Sequence, residues 1–135
     1  AGLLACAAAA SDAGARVALD LASATMIERY GASRFTRLWR SMDPDVVFAT
    51  DAEWRCAPAP AQPPPTLVLK HGPRGASFIT DGTADDRAPL PGEVVDATGA
   101  GDALAAGFLL GGADLAMQSA AECLGRVGAH PGGPR

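Results

Sequence analysis

Cysteine is scarce in this 135-residue chain and widely scattered: Cys6, Cys56 and Cys123, an odd number with no CxxC pair. That argues against a disulfide framework and against a cysteine zinc site, and it makes a reducing cytoplasm the default compartment. Histidine is scarcer still. His71 and His130 are too far apart to suggest a metal cluster. The eleven basic residues are dispersed and the formal net charge is −4, so there is no basic stripe of the kind a nucleic-acid partner needs. No stretch reads as a membrane helix. The apolar run Ala1 to Ala10 is too short to span a bilayer and has no basic segment before it. No membrane partner is expected, and no internal repeat is visible.

What is present is a hydrophobic content of 48%, enough for the core of one domain or a piece of one. Short apolar runs alternate with helical spacing. Gly2 to Ala13 reads as a helix closed by Gly14, and the run from Arg16 to Leu21 as a buried strand. Thr25 to Met42 carries helical spacing with a break near Gly31. Asp45 to Ala49 is a second strand, and Thr50 to Cys56 a short helix. Five prolines between Ala57 and Pro65 exclude helix and central strand there and give a stiff surface loop. Thr66 to Lys70 and Ala76 to Thr80 read as strands joined through a turn at Gly72 and Gly75. Asp81-Gly82 is a further turn signal. Ala103 to Leu110 and Ala113 to Val127 read as helices separated by Gly111-Gly112, followed by a tail expected to fray. This order predicts an α/β domain with a mainly parallel sheet, whose ligands bind beyond the carboxyl ends of the strands.

The run with chemical content is Asp96-Ala97-Thr98-Gly99-Ala100-Gly101-Asp102, leading into a helix of small residues. Gly99 and Gly101 let the backbone approach a ligand, and consecutive N–H groups at a helix start form an anion-binding concavity. Asp102 beside them can accept a proton from a hydroxyl or orient it. A plainer reading also fits, in which Asp102 caps the helix and the glycines only make a turn.

The same run resembles the C-terminal signature of the ribokinase-like (PfkB) carbohydrate and nucleoside kinases. That resemblance implies a three-layer ribokinase-like fold with a mainly parallel sheet. It implies Asp102 as catalytic base, with the backbone of Gly99, Ala100 and Gly101 as anion hole and Thr98 beside the nucleotide. It also places Asp96 near a monovalent-cation site that K+ would fill. Ala97 stands where the family usually has Thr or Ser, and Leu104 where it often has Phe. The segment Lys70-His71-Gly72-Pro73-Arg74-Gly75 resembles the family's strand–GxxG–strand element along the ATP phosphates, which assigns Lys70, Gly72 and Gly75 to the nucleotide. Lys70 and Arg74 read equally well as solvated charges. Thr50-Asp51-Ala52-Glu53 resembles the family's Asn-x-x-Glu motif, with Thr50 in the Asn position toward the phosphates and Glu53 toward Mg2+ through water. Thr-x-x-Glu is also a capping box, and both roles can hold together. Asp20 has no assigned role.

The resemblance spans nearly all of residues 1–135 and about the C-terminal half of a family member. It implies a nucleotide-binding and catalytic part that uses ATP and Mg2+ on a sugar or nucleoside hydroxyl. The first ten residues, with no initiating Met, read as a helix begun upstream. The expectation is therefore a chain truncated on the N-terminal side, without the segment that grips the acceptor. Homodimerisation of the intact enzyme is left open. An ATP-binding module without catalysis is the alternative. A dinucleotide-binding oxidoreductase fits poorly, because the third glycine of GxGxxG is absent and position 104 is Leu.

Overall fold

Glycines and one left-handed aspartate divide the N-terminal part of the chain into short elements. The computed structural model describes residues 2–58 and 63–128. The middle of the proline-rich stretch (59–62) and the expected fraying tail (129–135) lie outside the described residues. In chain order the elements are α1 (Gly2–Asp12), β1 (Ala18–Asp20), α2 (Ala24–Tyr30), α3 (Ala32–Met42), β2 (Val46–Thr50) and α4 (Asp51–Cys56). Then follow β3 (Thr66–Lys70), a 3-10 turn at Gly72–Arg74, β4 (Ala76–Thr80), β5 (Thr83–Arg87) and α5 (Ala100–Leu124). The chain divides into two compact units, Ala1–Gly72 with Ser77–Asp85, and Pro73–Ala76 with Asp86–Arg135.

The helix expected from Thr25 to Met42 is two helices. Gly31, at φ 87°, ends α2 by donating to Ile27 O and begins α3. Asp43, at φ 42°, ends α3 by donating to Trp39 O, and Pro44 prevents its continuation. Beyond it the five strands lie in the order β1-β2-β3-β4-β5. β1, β2 and β3 are parallel, with Asp20 opposite Phe48 and Thr50 opposite Lys70. The strand expected over Arg16 to Leu21 is shorter than its apolar run, although its flanks stay tied. Val17 N donates to Asp45 Oδ2 at 2.7 Å, and Leu21 N to Phe48 O at 3.0 Å.

Strand alternation decides the core of the first unit. Leu19 and Leu21, Val47 and Ala49, Leu67 and Leu69, and Ile79 share one parity, and all belong to one apolar cluster with Ile27, Phe35, Trp39 and Trp54 from the helices. Three rings pack through it in tilted pairs, with centroids 6.0 Å apart for Phe35–Trp39 and 6.2 Å for Trp39–Trp54. Val46, Phe48 and Val68, of opposite parity, are also fully buried. Burial on both faces is what a parallel sheet requires, and it explains why β2 and β3 read as unbroken apolar runs.

β5 was not anticipated from its sequence. Thr-Ala-Asp-Asp-Arg has no apolar alternation, and its first four residues are exposed. It forms because Asp81 and Gly82, at φ 49° and 78°, make a two-residue hairpin turn whose twist suits the strands on either side. Its charges blunt a sheet edge.

In the second unit, α5 is continuous in extent but not in direction. Gly111 and Gly112 leave helical geometry, at φ −156° and 75°. The segments on either side fold back on one another, because a methyl group placed on Gly107 would lie 2.6 Å from Leu115 O and 2.8 Å from Ala116 Cα. By length and composition α5 is apolar enough to cross a membrane. The fold-back leaves neither segment with the ~20 residues that a span needs. The interface between the segments has room for hydrogen only. Gly107→Ala should destabilise the chain by about 1–3 kcal/mol through overpacking, despite the better helix propensity of alanine. Urea denaturation measures this, and an unchanged midpoint would contradict the close crossing.

Candidate active site

Each candidate residue is fixed by local geometry. Gly99 is the N-cap of α5 in the left-handed conformation, φ 82° and ψ −4°. Ala100 N donates back to Ala97 O at 3.2 Å, which closes the turn, and the first bond of the helix is Ala103 N to Gly99 O at 2.9 Å. The amides of Gly101 and Asp102 therefore fall in the first turn, where the helix offers them no acceptor. An anion at this terminus would meet those two amides, whereas the Ala100 amide is already engaged. Asp102 lies in the first turn and is exposed, and its carboxylate makes no hydrogen bond among the described residues. Gly99, not Asp102, occupies the N-cap position, so the plain capping reading of Asp102 does not hold.

Asp96 is fully engaged. Oδ1 accepts from Thr98 N at 2.8 Å and Oδ2 from Gly128 N at 3.0 Å. Its own amide and that of Val95 donate to Leu124 O, at the end of α5. Cys123 Sγ reaches Thr98 O at 3.5 Å. One carboxylate thus fixes the loop that leads into the helix and the turn that leaves it. The backbone hydrogen bond from Thr98 holds the Asp96 carboxyl below the usual carboxylate range, helped by the Thr98 side chain and by the Gly128 amide. Asp96 as placed organises this loop, and its direct contribution to a cation would need lone pairs beyond those given to the two amides.

In the first unit, Thr50 and Glu53 form a complete capping box. Thr50 Oγ1 accepts from Glu53 N at 3.3 Å, and Glu53 Oε2 accepts from Thr50 N at 2.7 Å. Glu53 is buried, at 8% exposure, yet its Oε1 has no hydrogen bond among the described residues and keeps solvent contact. The cap therefore leaves one oxygen able to accept from a metal-bound water. Among the described residues no three His, Cys, Asp or Glu side chains converge on a common metal position. A Mg2+ ion would fit here as an ion carried by phosphates and approached by Glu53 through water.

Lys70 stands opposite Thr50 in register, and its Nζ pairs with Asp20 Oδ2 at 2.7 Å, spanning β2. Asp20 Oδ1 accepts from Ala22 N at 3.0 Å. Lys70 is thus not the freely solvated charge that the sequence also allowed, and Asp20 acquires a role that the sequence did not assign. Gly72, at φ 61°, opens the 3-10 turn. Gly75, at φ 99°, has no room for a side chain, since a methyl group there would lie 1.9 Å from Arg87 O. The structure brings Thr50, Glu53 and Lys70 to one end of the parallel strands in the first unit. It brings Asp96, Thr98, Gly99, Ala100, Gly101 and Asp102 into one loop and helix start in the second. Sequence reasoning missed the Asp20–Lys70 pair and a chain of hydrogen bonds from Asp51 through His71 to Ser77, because their partners lie up to 50 positions apart.

Residues 39–129 match the family described as pfkB family carbohydrate kinase. The chain belongs to that family. No match is found among curated proteins. Among solved structures, the chain is similar to a probable sugar kinase from Rhizobium etli, at 25% identity and a TM-score of 0.83 over 95% of this chain and 44% of that one. It is similar to adenosine kinase from Sinorhizobium meliloti, at 25% identity and 0.84 over 96% of this chain and 46% of that one. A putative ribokinase II from E. coli in complex with ATP and Mg2+ shares the fold, at 22% identity and 0.68 over 91% of this chain and 46% of that one. The chain thus spans less than half the length of these kinases. Its sheet and helices are those expected of a ribokinase-like α/β fold.

The Asp96 geometry carries a pH signature. A carboxyl whose folded pKa is lowered stabilises the fold above the ordinary value of about 3.9, and the contribution is lost as pH falls through the lower folded value. Asp96→Asn should be less stable than the parent at neutral pH, and the gap should narrow as pH falls below about 4. Urea midpoints across a pH series measure the gap, and a gap constant in pH would contradict the assignment.

Proposed function

We propose that this chain is the nucleotide-binding and catalytic part of a kinase that transfers the γ-phosphoryl group of ATP to a hydroxyl of a sugar or nucleoside. The observation that carries the reading is the start of α5, where two amides without helical acceptors stand beside an exposed carboxylate that has no partner among the described residues. The solved kinases of similar fold, which include an adenosine kinase and a probable sugar kinase, support the acceptor class. The fold shared with an ATP- and Mg2+-bound kinase supports the donor.

In this reading the amides of Gly101 and Asp102 and the positive end of the helix dipole stabilise charge on the phosphoryl oxygens. The Asp102 carboxylate accepts the acceptor hydroxyl's proton as that oxygen attacks. Gly72 and Gly75 let the turn after β3 lie along the phosphates. Lys70 contributes its cation once a phosphate competes with Asp20. Mg2+, when bound, would neutralise phosphate charge, and Glu53 Oε1 would be the group that holds it through water.

Two substitutions test this. In an intact enzyme carrying this part, Asp102→Asn should lower turnover by about 10²–10⁴-fold, the usual worth of a general base, and leave MgATP affinity near the parent value. Phosphorylation assays over a panel of sugars and nucleosides, paired with calorimetric MgATP titration, read both. Retained turnover defeats the base assignment, and binding without turnover in the parent favours an ATP-binding module. Glu53→Gln keeps an oxygen to accept from Thr50 N. It should preserve the melting temperature and raise the Mg2+ concentration needed for half-maximal activity. An unchanged Mg2+ dependence would reduce Glu53 to a helix cap.

A further inference from the structure

His71 uses both of its ring nitrogens. Nδ1 lies 2.9 Å from Asp51 Oδ1, and Nε2 lies 2.8 Å from Ser77 Oγ. An ionised carboxylate only accepts, so Nδ1 carries the proton toward Asp51, and in the neutral ring Nε2 accepts from the Ser77 hydroxyl. Side-chain exposure is 19% for His71 and 30% for Asp51, so water competes only in part for these bonds. Ser77 is likewise partly buried.

The three residues come from three elements. Asp51 is the first residue of α4, directly after Thr50; His71 directly follows β3; Ser77 is the second residue of β4. His71 and Ser77 stand on either side of residues 72–76, the stretch that holds Gly72 and Gly75. Their hydrogen bond closes that stretch at its base, and the bond to Asp51 ties the base to the start of α4. Glycines at φ 61° and 99° give the turn its path but also leave it many alternative conformations. A turn left loose would have to be ordered by its ligand, and that ordering lowers affinity.

We propose that His71 is a positioning residue that clasps the two ends of the Gly72–Gly75 turn and holds it in the form that receives the nucleotide phosphates. The inference rests on the nucleotide reading above. Asp51 orients the ring, and Ser77 is the far jaw of the clasp.

Amide hydrogen exchange on the ligand-free chain and calorimetric titration with MgATP test it together, using His71→Ala, His71→Asn and Ser77→Ala. His71→Ala should speed exchange across residues 72–77 about tenfold and leave β2 and the core of β3 at the parent rate. His71→Asn retains a donor toward Asp51 without the Ser77 bond, so it and Ser77→Ala should fall between parent and His71→Ala. MgATP affinity should weaken in the same order, by about five- to tenfold for His71→Ala. Parent-like exchange of the turn in all three variants overturns the clasp. A loosened turn with parent-like MgATP affinity overturns its role toward the nucleotide. A parent chain that does not bind MgATP, with the turn loosened in His71→Ala, overturns the nucleotide reading and leaves the clasp standing as a structural device.

Discussion

The parallel pairing of β2 with β1 and β3 governs what the first unit can do. Parallel strands run their carboxyl ends to one side, so three polar residues from distant parts of the chain finish at one edge. Asp20 ends β1, Thr50 ends β2 and Lys70 ends β3. The register brings Lys70 opposite Thr50 and lets its long side chain cross β2 to Asp20. A register slip of one residue would carry Lys70 away from Thr50 and exchange the side chains that β2 presents to its two buried faces. The packing of Phe35, Trp39 and Trp54 in one cluster with Val47, Ala49 and Leu67 therefore does more than stabilise a core: it fixes which side chains the sheet presents at its end.

The second unit solves a different problem, that of holding a loop rich in small residues in one shape. Ala97, Thr98, Gly99, Ala100 and Gly101 have little side chain with which to hold one another. The restraint comes from outside the loop, through the Asp96 carboxylate and the Leu124 carbonyl, and from the close crossing at Gly107 that brings the end of α5 back. Asp102 makes no side-chain hydrogen bond among the described residues. Gly99 takes the cap position in a conformation that L residues rarely adopt, so the first charged side chain of the helix is not used as its cap.

Elements set by local rules were legible in the sequence. Gly31 and Pro44 mark helix ends, the apolar runs of β2 and β3 mark buried strands, and Gly111-Gly112 marks the break in α5. The ordered motifs pointed to a pfkB-type kinase, the family that residues 39–129 match. Elements set by partners were not legible. β5 exists because a turn delivers it to a neighbouring strand, against its own composition. Asp20 acquires a partner only after β1 and β3 flank β2. His71, which looked isolated in sequence, sits between two side chains that folding alone brings to it. Capping Thr50 was visible as Thr-x-x-Glu, but the oxygen of Glu53 left free by the cap needed the hydrogen bonds themselves.

Asp96 and Gly128 lie 32 positions apart and are joined by one hydrogen bond. In polymer terms the segment between them is a ring closed without a covalent link. The entropy of that closure was already met by the folding-back of α5, so the last bond joins ends that are held near each other. Stiffness in the loop before Asp102 is accordingly borrowed from the far end of the helix. Changes at the chain's exit from α5 would be felt in the loop before the proposed base through the Asp96 carboxylate, and the loop's order would fail together with that exit turn.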